Sequence, residues 1–293
     1  MTRAQLVLTI LAFGLIVPFG SPGKVSAVEL ACPPPASPIA NAAPAAPTPA
    51  DSAWPEDEVE ITVFAASSLS DAYDEIGDVI EAEHPNVTVV LETAGSQTLV
   101  TQLNEGARAD VLATADTASM QGAVDAGVVD ADPQTFTTNR LVIITPTDNP
   151  ARIDDVADLA GDDIRLVIAA EDVPAGRYAR TAICAWAGDD EAARTAIGDN
   201  VVSEEIDVRS VLTKVQLGEA DAGIVYASDA ASAERNGTAL NVIEFPDGVP
   251  VSATYPIAPI AGGDTAAAQA FIAFVLSDDG QRILENHGFT PLS

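Results

Sequence analysis

Small polar residues lie at two successive points where a predicted strand runs into a predicted helix. Ser68 follows the strand-like run 61–66, and Ser96 follows the run 87–91. The first N–H groups of a helix have no intrahelical partner and carry a partial positive charge. A serine adds a hydroxyl to those amides, so such a turn can bind an anion through uncharged groups. One such serine is commonly just a helix cap, but two in succession favour an anion-binding site.

Three further positions in the carboxyl-terminal half can add donors to the same kind of site. Pro174 and Gly176 frame a predicted strand-to-helix turn whose first amides are free to point at a ligand. Val208 opens another predicted helix and can contribute its backbone amide. Tyr226 ends a buried strand-like run, where a phenol can donate one hydrogen bond from an apolar wall. On its own, such a tyrosine is more commonly a core residue whose hydroxyl has a buried partner.

Strand-like and helical runs alternate from residue 58 onward, which predicts an α/β protein with a largely parallel sheet. The spacing of apolar residues also predicts two amphipathic carboxyl-terminal helices, at 265–276 and 278–285. Ligands of open α/β sheets bind beyond the carboxyl ends of the strands, where the serine turns fall. The predicted strands are 61–66, 87–91, 111–115, 141–145, 166–170, 223–226 and 255–260.

Composition narrows the class of partner. The 293 residues carry a formal net charge of -31, with 13 basic against 44 acidic side chains, and the chain is long enough for two domains. This charge argues against nucleic acids and anionic membrane surfaces as partners, because both require a basic patch. A cleft lined by donors can still bind an anion, because charges on the outer surface are screened over about 8–10 Å at physiological salt.

The residues for catalysis or for a bound metal cation are missing. The two histidines, His84 and His287, lie away from both serine turns, and we expect surface or capping roles for them. No Gly-x-Ser-x-Gly elbow surrounds Ser68 or Ser96, which argues against a serine hydrolase. The acidic side chains are scattered on helix faces without a His/Cys ligand cluster. We therefore expect a binding protein without enzymatic activity, cofactor or metal cation.

The amino terminus predicts export. Arg3 precedes an apolar run over 6–19 and a small-residue stretch at 25–27, so residues 1–27 are predicted to be a signal peptide. Residues 28–57 form a linker rich in proline and alanine.

The role of Cys32 stays open. Residues 30–32 resemble part of a bacterial lipobox, which would make Cys32 a lipidation site and the linker a membrane tether, although Glu29 fits that pattern poorly. The alternative is cleavage after Ala27, with Cys32 left as a thiol or a disulfide partner. Cys184 lies at helical spacing among apolar residues and is expected to be a small buried hydrophobe. The sequence does not support a disulfide between the two.

Five segments in order and at similar spacing resemble the extracytoplasmic molybdate-binding proteins of ABC importers, from about Glu58 to the carboxyl terminus. Residues 139–142 and 288–289 fit the same resemblance. The five segments are Val-Phe-Ala-Ala-Ser-Ser-Leu at 63–69, Ala-Gly-Ser-Gln-Thr-Leu at 94–99, Gly-Ala-Arg-Ala-Asp-Val at 106–111, Val-Pro-Ala-Gly-Arg-Tyr-Ala at 173–179 and Gly-Ile-Val-Tyr-Ala-Ser-Asp-Ala at 223–230.

The resemblance implies a ligand set and a cargo. Ser68 and Ser96 would supply hydroxyl and amide donors, Ala175 and Val208 amides, and Tyr226 its phenol. The ligand would be molybdate or tungstate, delivered to an ABC permease by a monomer outside the cytoplasmic membrane. A receptor for another tetrahedral oxyanion, such as sulfate or phosphate, is the alternative.

The resemblance also implies a two-lobe fold like that of periplasmic binding proteins, with a hinged cleft. Lobe 1 would comprise 58–141 and 256–293, and lobe 2 would comprise 142–255. The crossover strands are expected near 141–146 and 254–260.

Overall fold

The computed structural model describes residues 28, 30, 32, 53–129 and 132–292. The predicted signal peptide and most of the linker lie outside the described residues. The strands are β1 (Val59–Ala66), β2 (Val87–Ala94), β3 (Val111–Ala113), β4 (Gln134–Pro146), β5 (Leu166–Ala169), β6 (Val201–Glu205), β7 (Ala222–Tyr226), β8 (Leu240–Ile243), β9 (Ser252–Pro259) and β10 (Thr290–Pro291). The helices are α1 (Ser70–Glu83), α2 (Ser96–Asn104), α3 (Thr117–Asp125), α4 (Pro174–Ala187), α5 (Glu191–Asp199), α6 (Val208–Gln216), α7 (Ala227–Arg235), α8 (Thr265–Leu276) and α9 (Asp278–Asn286), with short 3-10 helices at Ser67–Leu69 and Val156–Ala160.

The predicted two-lobe α/β fold is confirmed. In lobe 1 the strand order is β2-β1-β3-β9-β4, and β10 also pairs with β4. In lobe 2 the carboxyl-terminal part of β4 pairs with β7 and β8, and β5 lies between β7 and β6. The long strand β4 therefore belongs to both sheets: it pairs with β9 up to Arg140 and with β7 from Leu141 onward.

The expectation of a largely parallel sheet needs correction. Parallel pairing is limited to β2-β1-β3 and β6-β5-β7, whereas the described pairs that involve β4 or β9 are antiparallel, so the sheet is mixed rather than largely parallel. The cause is that β4 and β9, the strands near the junction of the lobes, run in the opposite direction to the strands beside them.

The apolar spacing of α1 explains how this helix is held on the sheet. Ala72, Tyr73, Ile76 and Ile80 are all buried on one face, at the three- and four-residue spacing of a helix. The two carboxyl-terminal helices, predicted at 265–276 and 278–285, appear as α8 and α9 with nearly the same bounds. Strands β6, β8 and β10 were not predicted, since each is short and half exposed. In the described part of the chain, no helix is both long and apolar enough to cross a membrane.

Cys32 and Cys184 form a disulfide, with 5.6 Å between their Cα atoms. The expectation that Cys184 is simply a buried hydrophobe is therefore wrong. Leu30 is buried and packs beside Gly198 of α5, so this residue contacts lobe 2. This bond conflicts with lipidation of Cys32, because one Sγ cannot form both a thioether to a lipid and a disulfide.

Candidate functional site

A small cavity lies between the lobes at the carboxyl ends of β1, β2 and β7. It is small: about 10 Å³ is available to the centre of a water molecule, roughly the room that one bound water needs. Its lining carries no charged side chain. The structure brings all five predicted residues together around this cavity, which is lined by Ala66, Ser67, Ser68, Gly95, Ser96, Ala115, Val173, Pro174, Ala175, Val208 and Tyr226.

Neither of the two predicted serines serves as a conventional helix cap. Ser68 is 2% exposed and its Oγ lies 2.9 Å from the hydroxyl of Tyr255. Ser96 is 1% exposed and its Oγ accepts a 3.0 Å hydrogen bond from the Ala115 amide. The residues preceding α1 and α2 make no side-chain capping bond either. The simple capping interpretation therefore does not account for these serines. The first amides of α2 remain available to a ligand, whereas the first amide of α1, that of Ser70, donates to the Ser67 carbonyl.

Lobe 2 presents two more helix starts to the cavity. Helix α4 begins at Pro174, which has no N–H, so the amide of Ala175 is its first free donor. Gly176 is required here, because a Cβ at this position would lie 1.9 Å from the Ala170 carbonyl oxygen. Helix α6 begins at Val208, whose amide lies in the first turn. The cap of α6 is Asp207, whose carboxylate accepts from the Ser210 amide and not from Val208.

Tyr226 ends β7 and turns its phenol into the cavity lining. The residue is 1% exposed, and its hydroxyl has no hydrogen-bond partner among the described residues. Burial raises the pKa of this phenol well above its usual value, so the group stays protonated and can donate. The backbone is held in place because the Tyr226 amide donates to Asp229 Oδ2 over 3.1 Å. An unpartnered buried donor of this kind calls for an acceptor from a ligand.

The lobes are also joined by an ion pair beside the cavity. Arg177 of α4 donates from Nε (2.8 Å) and Nη2 (2.6 Å) to Oδ2 of Asp116 in lobe 1, and from Nη2 to the Ser119 hydroxyl over 2.9 Å. The Asp116 side chain is only 5% exposed and also caps α3 by accepting from the Ser119 amide. The pair thus stabilises the contact between the lobes and fixes the start of α3.

A second charged cluster joins the lobes on α1, α6 and α7. Arg209 Nε lies 2.8 Å from Asp229 Oδ1, and its Nη1 contacts the Ser232 hydroxyl at 2.8 Å and Asp71 of lobe 1 at 3.4 Å. Burial raises the pKa of Asp229 to about 6, against the opposing effect of the Arg209 charge. Charged groups therefore surround the cavity without entering its lining.

Both histidines cap helices, His84 at the end of α1 and His287 at the end of α9, as one of the two expected roles. His287 is 7% exposed rather than superficial, and its ring bridges the lobes: Nδ1 lies 2.8 Å from Arg235 Nη2, and Nε2 lies 2.7 Å from Glu75 Oε2. His84 ends α1 and packs beside the ring of Trp54, with ring centroids 5.5 Å apart. Among the described residues, no group of three or more His, Cys, Asp or Glu side chains is arranged to hold a metal ion.

Sequence reasoning missed the residues that support the site from a distance. Tyr255 and Asn139 lie behind Ser68, and Asp116 faces Arg177 from the other lobe. The segments containing Asn139 and Arg177 were noted for their resemblance, but no local pattern links either residue to a partner far away in the chain. Pairing across the cleft gives no periodic signal that could have revealed them.

Comparisons with known proteins agree with this architecture. A family model described as bacterial extracellular solute-binding protein matches residues 61–290. Molybdate-binding protein ModA of Mycobacterium tuberculosis is 40% identical to this chain over 230 residues, which cover 78% of this chain and 84% of that protein.

Two solved structures show the same fold at low sequence identity. The periplasmic molybdate-binding protein of Azotobacter vinelandii is 16% identical, with a TM-score of 0.68 over 80% of this chain and 100% of that one. The sulfate-binding protein SubI of Mycobacterium tuberculosis is 20% identical, with a TM-score of 0.70 over 80% and 88% of the two chains. Since both proteins share the fold, the fold alone does not select the anion. The chain belongs to the family of bacterial extracellular solute-binding proteins.

Proposed function

We propose that this protein binds molybdate in the cavity between its lobes and delivers it to an ABC importer. The observation that carries the proposal is the buried, uncharged cavity in which the Tyr226 hydroxyl has no partner. Ser68 and Ser96 would donate from lobe 1, and Ala175, Val208 and Tyr226 from lobe 2. The 40% identical relative named for molybdate supports this cargo over sulfate or phosphate.

Hydrogen bonds would compensate for burying the dianion. Each hydrogen bond to a charged group contributes about 1.5–3 kcal/mol net, so several converging donors can hold an anion without a counterion. Cavity size would separate molybdate and tungstate from the smaller sulfate once the lobes have closed on the anion. Tungstate is included in the proposal because its charge and shape match those of molybdate.

The lobes would close on the anion as a hinged pair, with lobe 1 formed by 58–141 and 256–293 and lobe 2 by 142–255. The anion stabilises the closed form because only that form brings both sets of donors to it. We propose that the protein acts as a monomer outside the cytoplasmic membrane, presents both closed lobes to the permease and catalyses no reaction. The predicted signal peptide and the family membership support that location.

Thermal unfolding with molybdate, tungstate, sulfate and phosphate in turn tests the cargo. A ligand at 100 times its dissociation constant stabilises the folded protein by about 2.7 kcal/mol. We expect molybdate and tungstate to raise the unfolding temperature and the other two anions to leave it unchanged. A shift with sulfate or phosphate alone would assign a different anion, and no shift at all would refute oxyanion binding.

Calorimetry on serine variants tests the site. Ser68→Ala and Ser96→Ala should each weaken molybdate binding about tenfold or more, because each removes one donor to the buried charge. Ser252→Ala is the matched control, since this serine is exposed at the start of β9 and does not line the cavity. Unchanged affinity in both site variants would exclude this cavity as the binding site.

A further inference from the structure

The contact behind Ser68 raises the question of which oxygen donates. Ser68 Oγ and the Tyr255 hydroxyl are 2.9 Å apart, and both side chains are buried. Only one proton can lie between the two oxygens. If Ser68 donates to Tyr255, its oxygen turns only lone pairs toward the cavity; if Tyr255 donates, the Ser68 proton is free to point at a ligand.

Asn139 decides the direction of this bond. Its Oδ1 accepts from the Arg140 amide over 2.9 Å, which turns Nδ2 toward the interior. Nδ2 lies 2.8 Å from the Ser228 hydroxyl and 3.4 Å from the Tyr255 hydroxyl. An amide nitrogen offers two protons and no lone pair, so both hydroxyl oxygens must accept from it. With its oxygen accepting from Asn139, Tyr255 directs its own proton to Ser68.

The packing around Tyr255 keeps its hydroxyl in this position. Its ring makes edge contacts with Phe136, Tyr226 and Phe289, with centroids 6.3, 5.8 and 5.5 Å away. Burial raises the pKa of Tyr255 well above its usual value, so the phenol keeps its proton. The ring thus holds one protonated hydroxyl against Ser68.

The Ser96 hydroxyl is also left with a free proton, through a different hydrogen bond. Its Oγ accepts from the backbone amide of Ala115, a group that can only donate. The hydroxyl proton of Ser96 is therefore also free for the cavity. With Tyr226 unpartnered and no carboxylate in the lining, the cavity side chains favour donation. An oxyanion that carries a proton would then lack a good acceptor for it.

We propose that Asn139 and Tyr255 are positioning residues that hold the Ser68 hydroxyl as a donor, so that the cavity selects oxyanions without a bound proton. The inference rests on the proposed oxyanion binding and adds a cause for its selectivity. Neither residue lines the cavity, and both act through Ser68.

Removing the Tyr255 hydroxyl tests this relay of hydrogen bonds from Asn139 through Tyr255 to Ser68. In Tyr255→Phe the Ser68 hydroxyl loses its hydrogen-bond donor, so it is free to rotate and to accept a hydrogen bond from a protonated ligand. We expect molybdate to bind about tenfold more weakly, the loss of one well-oriented donor to a charge. Phosphate, which keeps at least one proton at neutral pH, binds the unmodified protein too weakly to shift its unfolding, so its affinity is measured by competition against molybdate at high phosphate concentration. It should bind Tyr255→Phe no more weakly than it binds the unmodified protein. The ratio of the two affinities is the readout, because a general loss of folding would lower both.

Two further variants complete the experiment. Asn139→Ala keeps the Tyr255 hydroxyl but removes its donor, and should shift the ratio in the same direction by a smaller factor. Tyr73→Phe is the matched control: this tyrosine is also fully buried, contacts the same Phe136 and has no hydrogen-bond partner for its hydroxyl among the described residues. It should leave both affinities unchanged.

The outcomes separate the relay from the proposed function. If the unmodified protein binds molybdate and Tyr255→Phe leaves the affinity ratio unchanged, the relay is refuted while the function stands. If the unmodified protein binds no oxyanion, the proposed function fails, and the relay fails with it. Thermal unfolding of each ligand-free variant identifies any loss of the fold.

Discussion

Replacing Tyr226 by phenylalanine should move stability and affinity in opposite directions. The substitution removes one hydroxyl and keeps the ring, which packs edge-on against Tyr255 with centroids 5.8 Å apart. That hydroxyl is buried and has no hydrogen-bond partner in the described structure. Deleting an unsatisfied buried donor is neutral or stabilising for the ligand-free protein, because the desolvation of the hydroxyl is no longer uncompensated.

The effect on binding follows from the charge of the ligand. A hydrogen bond to a charged group contributes about 1.5–3 kcal/mol, which corresponds to roughly a 10- to 150-fold change in dissociation constant. At least the lower end of this range is expected, since Tyr226 is 1% exposed and its hydroxyl lies in the cavity lining.

Calorimetric titration with molybdate and chemical denaturation without ligand measure the two quantities separately. We expect a dissociation constant at least tenfold higher, together with an unfolding free energy equal to or above that of the unmodified protein. A variant that binds molybdate normally would show that the phenol does not contact the anion. A variant that loses stability without ligand would show that the hydroxyl has a partner within the protein, which would refute the reasoning from its isolation.

Three other substitutions test the contacts around the site. Arg177→Ala removes the interlobe ion pair with Asp116 and should weaken molybdate binding about tenfold in calorimetry by destabilising the closed form, so an unchanged affinity would contradict the role of the pair. Cys184→Ser should lower the unfolding free energy by about 2–4 kcal/mol, and non-reducing peptide mapping of the unmodified protein should recover the Cys32–Cys184 link; an acylated Cys32 would exclude it. The pKa of Asp229 is raised from 3.8, the value expected in the unfolded chain, to about 6 in the folded protein. The protonated carboxyl therefore favours the folded state fully below pH 3.8, and this stabilisation is lost as pH rises through about 6. Asp229→Asn should therefore gain stability relative to the unmodified protein by up to about 3 kcal/mol as pH rises from about 4 to about 7, and a pH-independent difference in denaturant unfolding would contradict the raised pKa.

Much of the candidate site could be predicted because its donors belong to local patterns. Ser68 and Ser96 follow strands and lie at the start of helical segments. Val208 lies where a polar turn is followed by apolar residues at helical spacing. Those relations span only a few residues and depend on which groups a helix start leaves free. Whether such a serine is a cap or a ligand donor could not be predicted, because the answer depends on partners far away in the chain.

The sequence by itself determined the alternation of strands and helices, the uncharged donors at the helix starts, the positions of α8 and α9 and the absence of a basic surface. Each of these depends on residue type and on spacing within a single element. Only the tertiary structure decided the antiparallel course of β4 and β9, the 187-residue separation bridged by Ser68 and Tyr255, the interlobe pair of Arg177 and Asp116, 61 residues apart, and the disulfide across 152 residues. The physical reason is that such contacts form when separate apolar faces pack together, and the order in which faces pack is not encoded in any local period.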